Sequence, residues 1–93
     1  MALSKEELRS AGTLWPLIAA NLPAAITTAQ ALVTRPPGDL IQSLVTRYEM
    51  GERMYHRDFL DWSPEMFDAE IACEIADVFL YVAMKRVMFG DER

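Results

Sequence analysis

Two pairs of acidic residues are spaced as neighbours on one face of a helix. Glu49 and Glu52 form the first pair, and Glu74 and Asp77 form the second after twenty-one intervening residues. Residues three positions apart in an α-helix lie on adjacent turns and face the same side. Carboxylate oxygens suit Mg²⁺ or Mn²⁺, and such a cation would offset the repulsion among four converging carboxylates. The spacing indicates a divalent-metal site if the two helices face one another.

Helix signals place both acidic pairs on helices. A third helix is predicted from the Asp39 cap to about Arg57, and a fourth from Ser63-Pro64 to about Phe89, ending at Gly90. The link between them is short, so we expect the two helices to pack antiparallel with their acidic pairs facing each other.

Two further helices are predicted before the acidic pairs. A capping box at Ser4 and Glu7 opens the first helix, which we expect to reach about Asn21 with a kink or break at Pro16. A second helix is predicted to begin at Pro23 and to stop before the Pro-Pro-Gly connector at 36–38. Because signals for β-strands are absent, the chain is predicted to be all-α.

Length and charge restrict the function further. Ninety-three residues predict one domain over 1–93, with the acidic half at about 39–90. The net charge is −5, and eleven of the fourteen acidic residues follow position 47. This balance argues against nucleic acid or an anionic membrane as a partner. The hydrophobic content is 52%, so we expect a homo-oligomer, a dimer or a tetramer, that buries apolar surface between subunits.

The cysteine content and the apolar segments favour a cytoplasmic protein. Cys73 is the only cysteine, which excludes a disulfide within the chain. The apolar segment 14–26 has some features of a signal peptide, but Pro16, Asn21 and Pro23 interrupt it. No run of about 18 uninterrupted apolar residues is present, so a membrane-spanning segment is not expected.

The residues around the acidic pairs resemble the MazG-like nucleotide pyrophosphohydrolases of the all-α NTP pyrophosphatase superfamily. Glu49-Met50-Gly51-Glu52 is similar to the family's E-hydrophobic-G-E turn. Trp62-Ser63-Pro64, followed by the segment EIADVFLY at 74–81, is similar to the W-S-P and E-L-x-D-V-L-I-Y sequences of dCTP pyrophosphatase. The resemblance covers about residues 40–84, roughly half of the chain.

This resemblance implies a four-helix MazG-like bundle that oligomerises through the long C-terminal helix. It also implies Mg²⁺-dependent hydrolysis of a nucleoside triphosphate, NTP or dNTP, to the monophosphate and pyrophosphate. The metal ligands would be Glu49, Glu52, Glu74 and Asp77. Glu49 or Glu52 would also orient or deprotonate the attacking water. A phosphoribosyl-nucleotide substrate, used elsewhere in the superfamily, stays open.

Candidate substrate contacts lie near the acids in the sequence. Lys85 follows the second acidic pair on the same helical stripe, and three aromatic side chains are placed to hold a nucleobase: Tyr48, Trp62 and Tyr81. The alternative interpretation of the aromatic residues is packing in a core or interface. The alternative interpretation of Glu49 and Glu52 is that they lie on a solvated helix face without a bound metal. His56 does not indicate a di-iron site, because that site needs Glu-x-x-His on two helices.

A second class of function stays open, namely a helical interaction protein that retains the scaffold without catalysis. Family members commonly carry a basic, asparagine-containing segment after the second acidic pair, and here only Lys85 and Arg86 lie close to that pair. The first forty residues match nothing in the family pattern. Under this hypothesis, residues 14–33 or the outer face of the fourth helix would bind a partner chain.

Overall fold

The computed structural model describes residues 3–90, which form four α-helices and one 3₁₀ helix. In chain order these are α1 (Lys5–Ser10), α2 (Trp15–Thr34), α3 (Leu40–Tyr55), the 3₁₀ helix (Asp58–Asp61) and α4 (Pro64–Phe89). Helix makes up 82% of the structure and no strand occurs in the described range, which confirms the all-α class. Residues 1–2 and 91–93 of the predicted 1–93 domain lie outside the described residues.

The capping box predicted at the first helix is confirmed. The Ser4 hydroxyl accepts from the Glu7 N–H at 3.1 Å, and the Ser4 N–H donates to Glu7 Oε1 at 2.9 Å. The bond from the Ser4 N–H, and after it the Ser4 side chain, stabilises the charged carboxylate and lowers the pKa of Glu7. The stabilisation is therefore present at neutral pH and is lost as the pH falls through that lowered pKa.

The predicted ends of the third and fourth helices are also close to those observed. Asp39 Oδ1 accepts from the Gln42 N–H at 3.0 Å, and the Ser63 hydroxyl accepts from the Met66 N–H at 3.2 Å. Gly90 ends α4 with a positive φ of 67°, which a residue without a Cβ adopts readily. Each of these helix ends is determined by a local interaction of a residue type that can be recognised in the sequence.

The predicted boundary between the first two helices is wrong. α1 ends at Ser10, and α2 begins at Trp15 and continues through Pro23 to Thr34. Pro16 lies in the first turn of α2, where a backbone N–H has no helical acceptor, so it begins a helix rather than breaking one. Pro23 removes one helical hydrogen bond, to the Ala19 carbonyl, but the helix continues because α2 is held against α4.

α2 and α4 are the only two helices in the described range that pack extensively on one another. They run antiparallel: Asn21, near the start of α2, accepts from Arg86, near the end of α4, at 3.3 Å. Three alanines in these helices are fully buried, Ala25 and Ala29 in α2 and Ala83 in α4. Small side chains let two helices approach closely.

The expected antiparallel packing of α3 on α4 does not occur within the chain. No residue of α3 is buried, although it carries several large apolar side chains. The 3₁₀ helix and Trp62 turn the chain between Tyr55 and Pro64, so that α3 extends away from the α2–α4 pair. The long axis of the molecule consequently measures 48 Å.

Among residues 3–90, α2 is the one helix that is long and apolar enough to cross a membrane by length and composition. The core helix of a soluble protein and a signal sequence near the N-terminus share these properties. The cytoplasmic location stays a prediction.

We expect Ala25→Leu to lower the free energy of unfolding by about 1–3 kcal/mol, because a larger side chain at this fully buried position forces α2 and α4 apart. Urea unfolding followed by circular dichroism measures the change. Ala24→Leu is the matched control, because Ala24 is the exposed neighbour on the same helix. Equal effects of the two substitutions would contradict the role assigned to Ala25.

Candidate functional site

Three of the predicted site residues lie together in one pocket at the end of α3. Tyr48, Glu52 and Trp62 line a pocket of about 190 Å³, together with Tyr55, Phe59 and His56 among others. We call this pocket the aromatic corner. Trp62 also contacts Phe67 of α4 edge to face, with 5.1 Å between ring centroids. The corner is thus anchored to the first turn of α4 and fixes the direction in which α3 leaves it.

Glu52 is paired with a cation on the following turn. Arg57 donates from Nε to Glu52 Oε2 at 3.3 Å and from Nη2 to Oε1 at 3.4 Å. The bond to Glu52, then its negative charge, and then the Tyr48 hydroxyl raise the pKa of Arg57 above its ordinary value. The Glu52 side chain is only 27% exposed, so its carboxylate is compensated by Arg57 at the edge of the pocket.

His56 joins α3 to the 3₁₀ helix in an unusual backbone conformation. Its φ is 56° and its ψ is −119°, and it is the only described non-glycine residue with a positive φ. A side chain with a Cβ is strained in this region, at a cost of order 1–3 kcal/mol. Backbone strain is therefore concentrated at the wall of the aromatic corner, where α3 turns away from α4.

The second acidic pair lies elsewhere, on α4. Glu74 lines a groove of about 630 Å³ between α2 and α4, whose other walls include Val33, Ile71, Ile75 and Val78. We call it the α2–α4 groove. Asp77 is exposed.

The remaining predicted residues are also exposed. Glu49 is exposed on α3, one turn before Glu52, and Tyr81 and Lys85 are exposed on α4. Tyr81 is 67% exposed, so it forms no part of a core within the chain. By their spacing on the observed helix, Glu74, Asp77, Tyr81 and Lys85 share one side of α4.

The four acids provide ligand chemistry that fits Mg²⁺ or Mn²⁺, but one chain does not gather them. Among the described residues, no three His, Cys, Asp or Glu side chains are close enough together to hold a metal ion. The reason is the position of α3, which carries the first pair away from α4. The structure brings Glu52 to Tyr48 and Trp62, and it leaves Glu74 and Asp77 on a separate helix.

Sequence reasoning missed Tyr55 and Phe59 in the aromatic corner, and it missed Arg57, which pairs with Glu52 at the edge of the pocket. Arg57 was taken only as the end of the third helix, although its position five residues after Glu52 allows the observed ion pair across the helix end. Tyr55 is exposed and lines the pocket. Phe59 has no sequence signal that distinguishes it from a core residue.

Comparison of the chain with protein-family models, with curated proteins and with solved structures finds no match. The MazG-like resemblance therefore rests only on the sequence motifs at 49–52, 62–64 and 74–81.

We expect His56→Gly to raise the free energy of unfolding by about 0.5–1 kcal/mol, because glycine adopts a positive φ without the Cβ penalty. Thermal and urea unfolding measure the gain. His56→Ala is the control, since it removes the imidazole but keeps the Cβ. A gain of the same size in the alanine variant would show that the ring, and not the backbone, is the source of strain.

Proposed function

We propose that this protein is a Mg²⁺-dependent nucleotide pyrophosphohydrolase that converts an NTP or dNTP to the monophosphate and pyrophosphate. The observation that supports the proposal is the aromatic corner, which places Glu52 of the first acidic pair beside Tyr48 and Trp62. A nucleotide carries both phosphates and a base. The acid can bind a cation that is bound to the phosphates, and the aromatic rings can stack on the base. The proposed location is the cytoplasm.

The size of the aromatic corner suits a single nucleobase. Its volume of about 190 Å³ is smaller than the roughly 300–1,000 Å³ of pockets that hold drug-sized ligands. Stacking of a base on an aromatic side chain contributes about 1–3 kcal/mol. In this proposal Tyr48 and Trp62 bind the base, while Tyr81 and Lys85 contact the rest of the nucleotide from α4.

The acids carry the second part of the proposal. Bound Mg²⁺ neutralises phosphate oxygens and lowers the pKa of a coordinated water. Glu49, Glu52, Glu74 and Asp77 are its proposed ligands, and Glu49 or Glu52 orients or deprotonates the attacking water. Until a cation is present, Arg57 compensates the charge of Glu52.

Pyrophosphate release from a panel of NTPs and dNTPs, with Mg²⁺ or Mn²⁺, tests the proposal. We expect turnover of at least one nucleotide, and we expect Glu74→Gln to lower kcat/KM by about 100-fold or more, because loss of a metal ligand removes several kcal/mol of transition-state stabilisation. A phosphoribosyl-nucleotide in the panel tests the related substrate class.

Glu65→Gln is the matched control, because Glu65 is an exposed glutamate on the same helix outside both acidic pairs. It should retain wild-type activity. If no nucleotide is hydrolysed by folded protein, or if Glu65→Gln and Glu74→Gln have the same effect, the proposed reaction or the proposed site is wrong.

The second candidate function is a helical interaction protein without catalysis. The large amount of exposed apolar surface favours it, because contiguous patches of this kind mark protein–protein contact sites. Its proposed contact surfaces are residues 14–33 and the outer face of α4. A purified protein that hydrolyses nucleotides and forms no stable complex with another protein would exclude this candidate.

A further inference from the structure

The chain exposes more surface than a globular protein of its size. Its accessible area is 7906 Å² and its mass is 10.6 kDa, whereas a compact monomer of that mass exposes about 5,500 Å². Its radius of gyration is 16.5 Å, against about 12 Å for a compact domain of this length. Roughly 2,400 Å² per chain therefore stays uncovered relative to a compact monomer.

Two complementary apolar surfaces account for much of this exposure. One is the face of α3 that carries Leu40, Leu44 and Tyr48, which are each about half exposed and share one side of the helix. The other is the α2–α4 groove, lined by apolar side chains such as Ile71 and Ile75. Because α3 is directed away from the groove of its own chain, it cannot cover that groove. It can cover the groove of a second copy.

We propose that two copies form a homodimer in which α3 of each copy packs in the α2–α4 groove of the other. Each chain gives its α3 to the other and accepts the other's α3, so the same contact occurs twice. The assembly is then complete with two chains. If each chain buries its uncovered area, the total approaches about 4,800 Å², within the roughly 2,000–5,000 Å² typical of obligate dimers. The area thus favours a second copy of this chain over a small or transient partner.

Charge complementarity supports the same occupant. The first twenty-one residues of α4, 64–84, contain five acidic residues and no basic one. The helix that would dock there, α3, carries two basic residues, Arg47 and Arg53, besides the acidic pair Glu49 and Glu52. Arg47 is exposed and lies about 60° from Leu44 around the helix axis, so it is available to pair with carboxylates of the partner. Arg53 lies on the same side of α3 as Thr46, away from the docking face.

The aromatic corner explains why α3 would pack on the partner and not on its own α4. Trp62 contacts Phe67 of α4 and lines the pocket together with Tyr48 of α3. Folding α3 back onto its own α4 would require the 3₁₀ helix and these ring contacts to separate. Docking on a second copy retains them.

This arrangement deepens the proposed function, on which the next step rests. Glu52 lies beside Tyr48 on α3, and Glu74 lines the groove. Packing of α3 in the partner's groove would therefore bring Glu52 of one chain towards Glu74 of the other, with Glu49 and Asp77 on the adjacent turns. The dimer would contain two composite metal sites, neither of which one chain can form alone.

The mass of the protein in solution tests the dimer first. Light scattering coupled to size exclusion should give twice the chain mass for the wild type. Leu44→Glu should yield a monomer, because it places a charge on the docking face, and Thr46→Glu should remain dimeric, because Thr46 lies on the opposite side of α3. A monomeric wild type, or a Leu44→Glu variant that is as dimeric as Thr46→Glu, overturns the proposal.

A mixed dimer tests the composite site even if Leu44→Glu fails to fold. One chain carries Glu49→Gln and Glu52→Gln, the other carries Glu74→Gln and Asp77→Asn, and two affinity tags isolate the heterodimer. Mn²⁺ binding by electron paramagnetic resonance should be lost in each homodimer and restored to about half of the wild-type sites in the heterodimer.

The outcomes separate this inference from the proposed function. A wild-type dimer that binds Mn²⁺, with no binding restored in the heterodimer, overturns the composite site. A wild-type dimer that neither binds Mn²⁺ nor hydrolyses nucleotides contradicts the proposed function and the composite site. The proposed docking of α3 on the partner is still supported in that case if Leu44→Glu gives a monomer and Thr46→Glu stays dimeric.

Discussion

The contact between α2 and α4 is the physical interaction on which the rest of this structure depends. It is the only extensive helix pair in residues 3–90, and its fully buried side chains are three alanines. Alanine burial contributes little hydrophobic free energy, because a methyl group has little area to remove from water. The pair therefore provides a close and regular contact, but it covers only one side of α4. A helix that is apolar nearly all round needs cover on its other sides as well.

The parts of the fold that could be predicted from the sequence are those controlled by local interactions. Ser4, Asp39 and Ser63 each cap a helix through a hydrogen bond to a residue three positions later, and Gly90 ends one through its positive φ. Such signals need no knowledge of tertiary structure. The boundary near Pro16 was mispredicted because proline is compatible with a helix start as well as with a helix break, and the choice depends on its position in the first turn.

The candidate site could be predicted less completely, for a reason that is geometric. The spacing of Glu74 and Asp77 on the observed helix places both on one side of α4, and Tyr48 and Trp62 line the same pocket as Glu52. The distance between the two acidic pairs depends instead on the direction of α3, which is decided by the 3₁₀ helix and by aromatic packing at Trp62. No periodic pattern in the sequence encodes that turn, and a short link is compatible with both an antiparallel hairpin and an extended corner.

The strained backbone at His56 shows that the contacts of the aromatic corner are strong enough to hold the chain in an unfavourable conformation. A positive φ at a residue with a Cβ persists only where surrounding contacts outweigh its cost. Here those contacts are the aromatic rings of the pocket and the pairing of Arg57 with Glu52 across the same turn. The interactions that orient α3 are thus the ones that hold Glu52 and line the proposed base pocket. A change that relaxes the corner would move the first acidic pair and the docking helix together, so the proposed site and the proposed assembly are coupled through one turn of the chain.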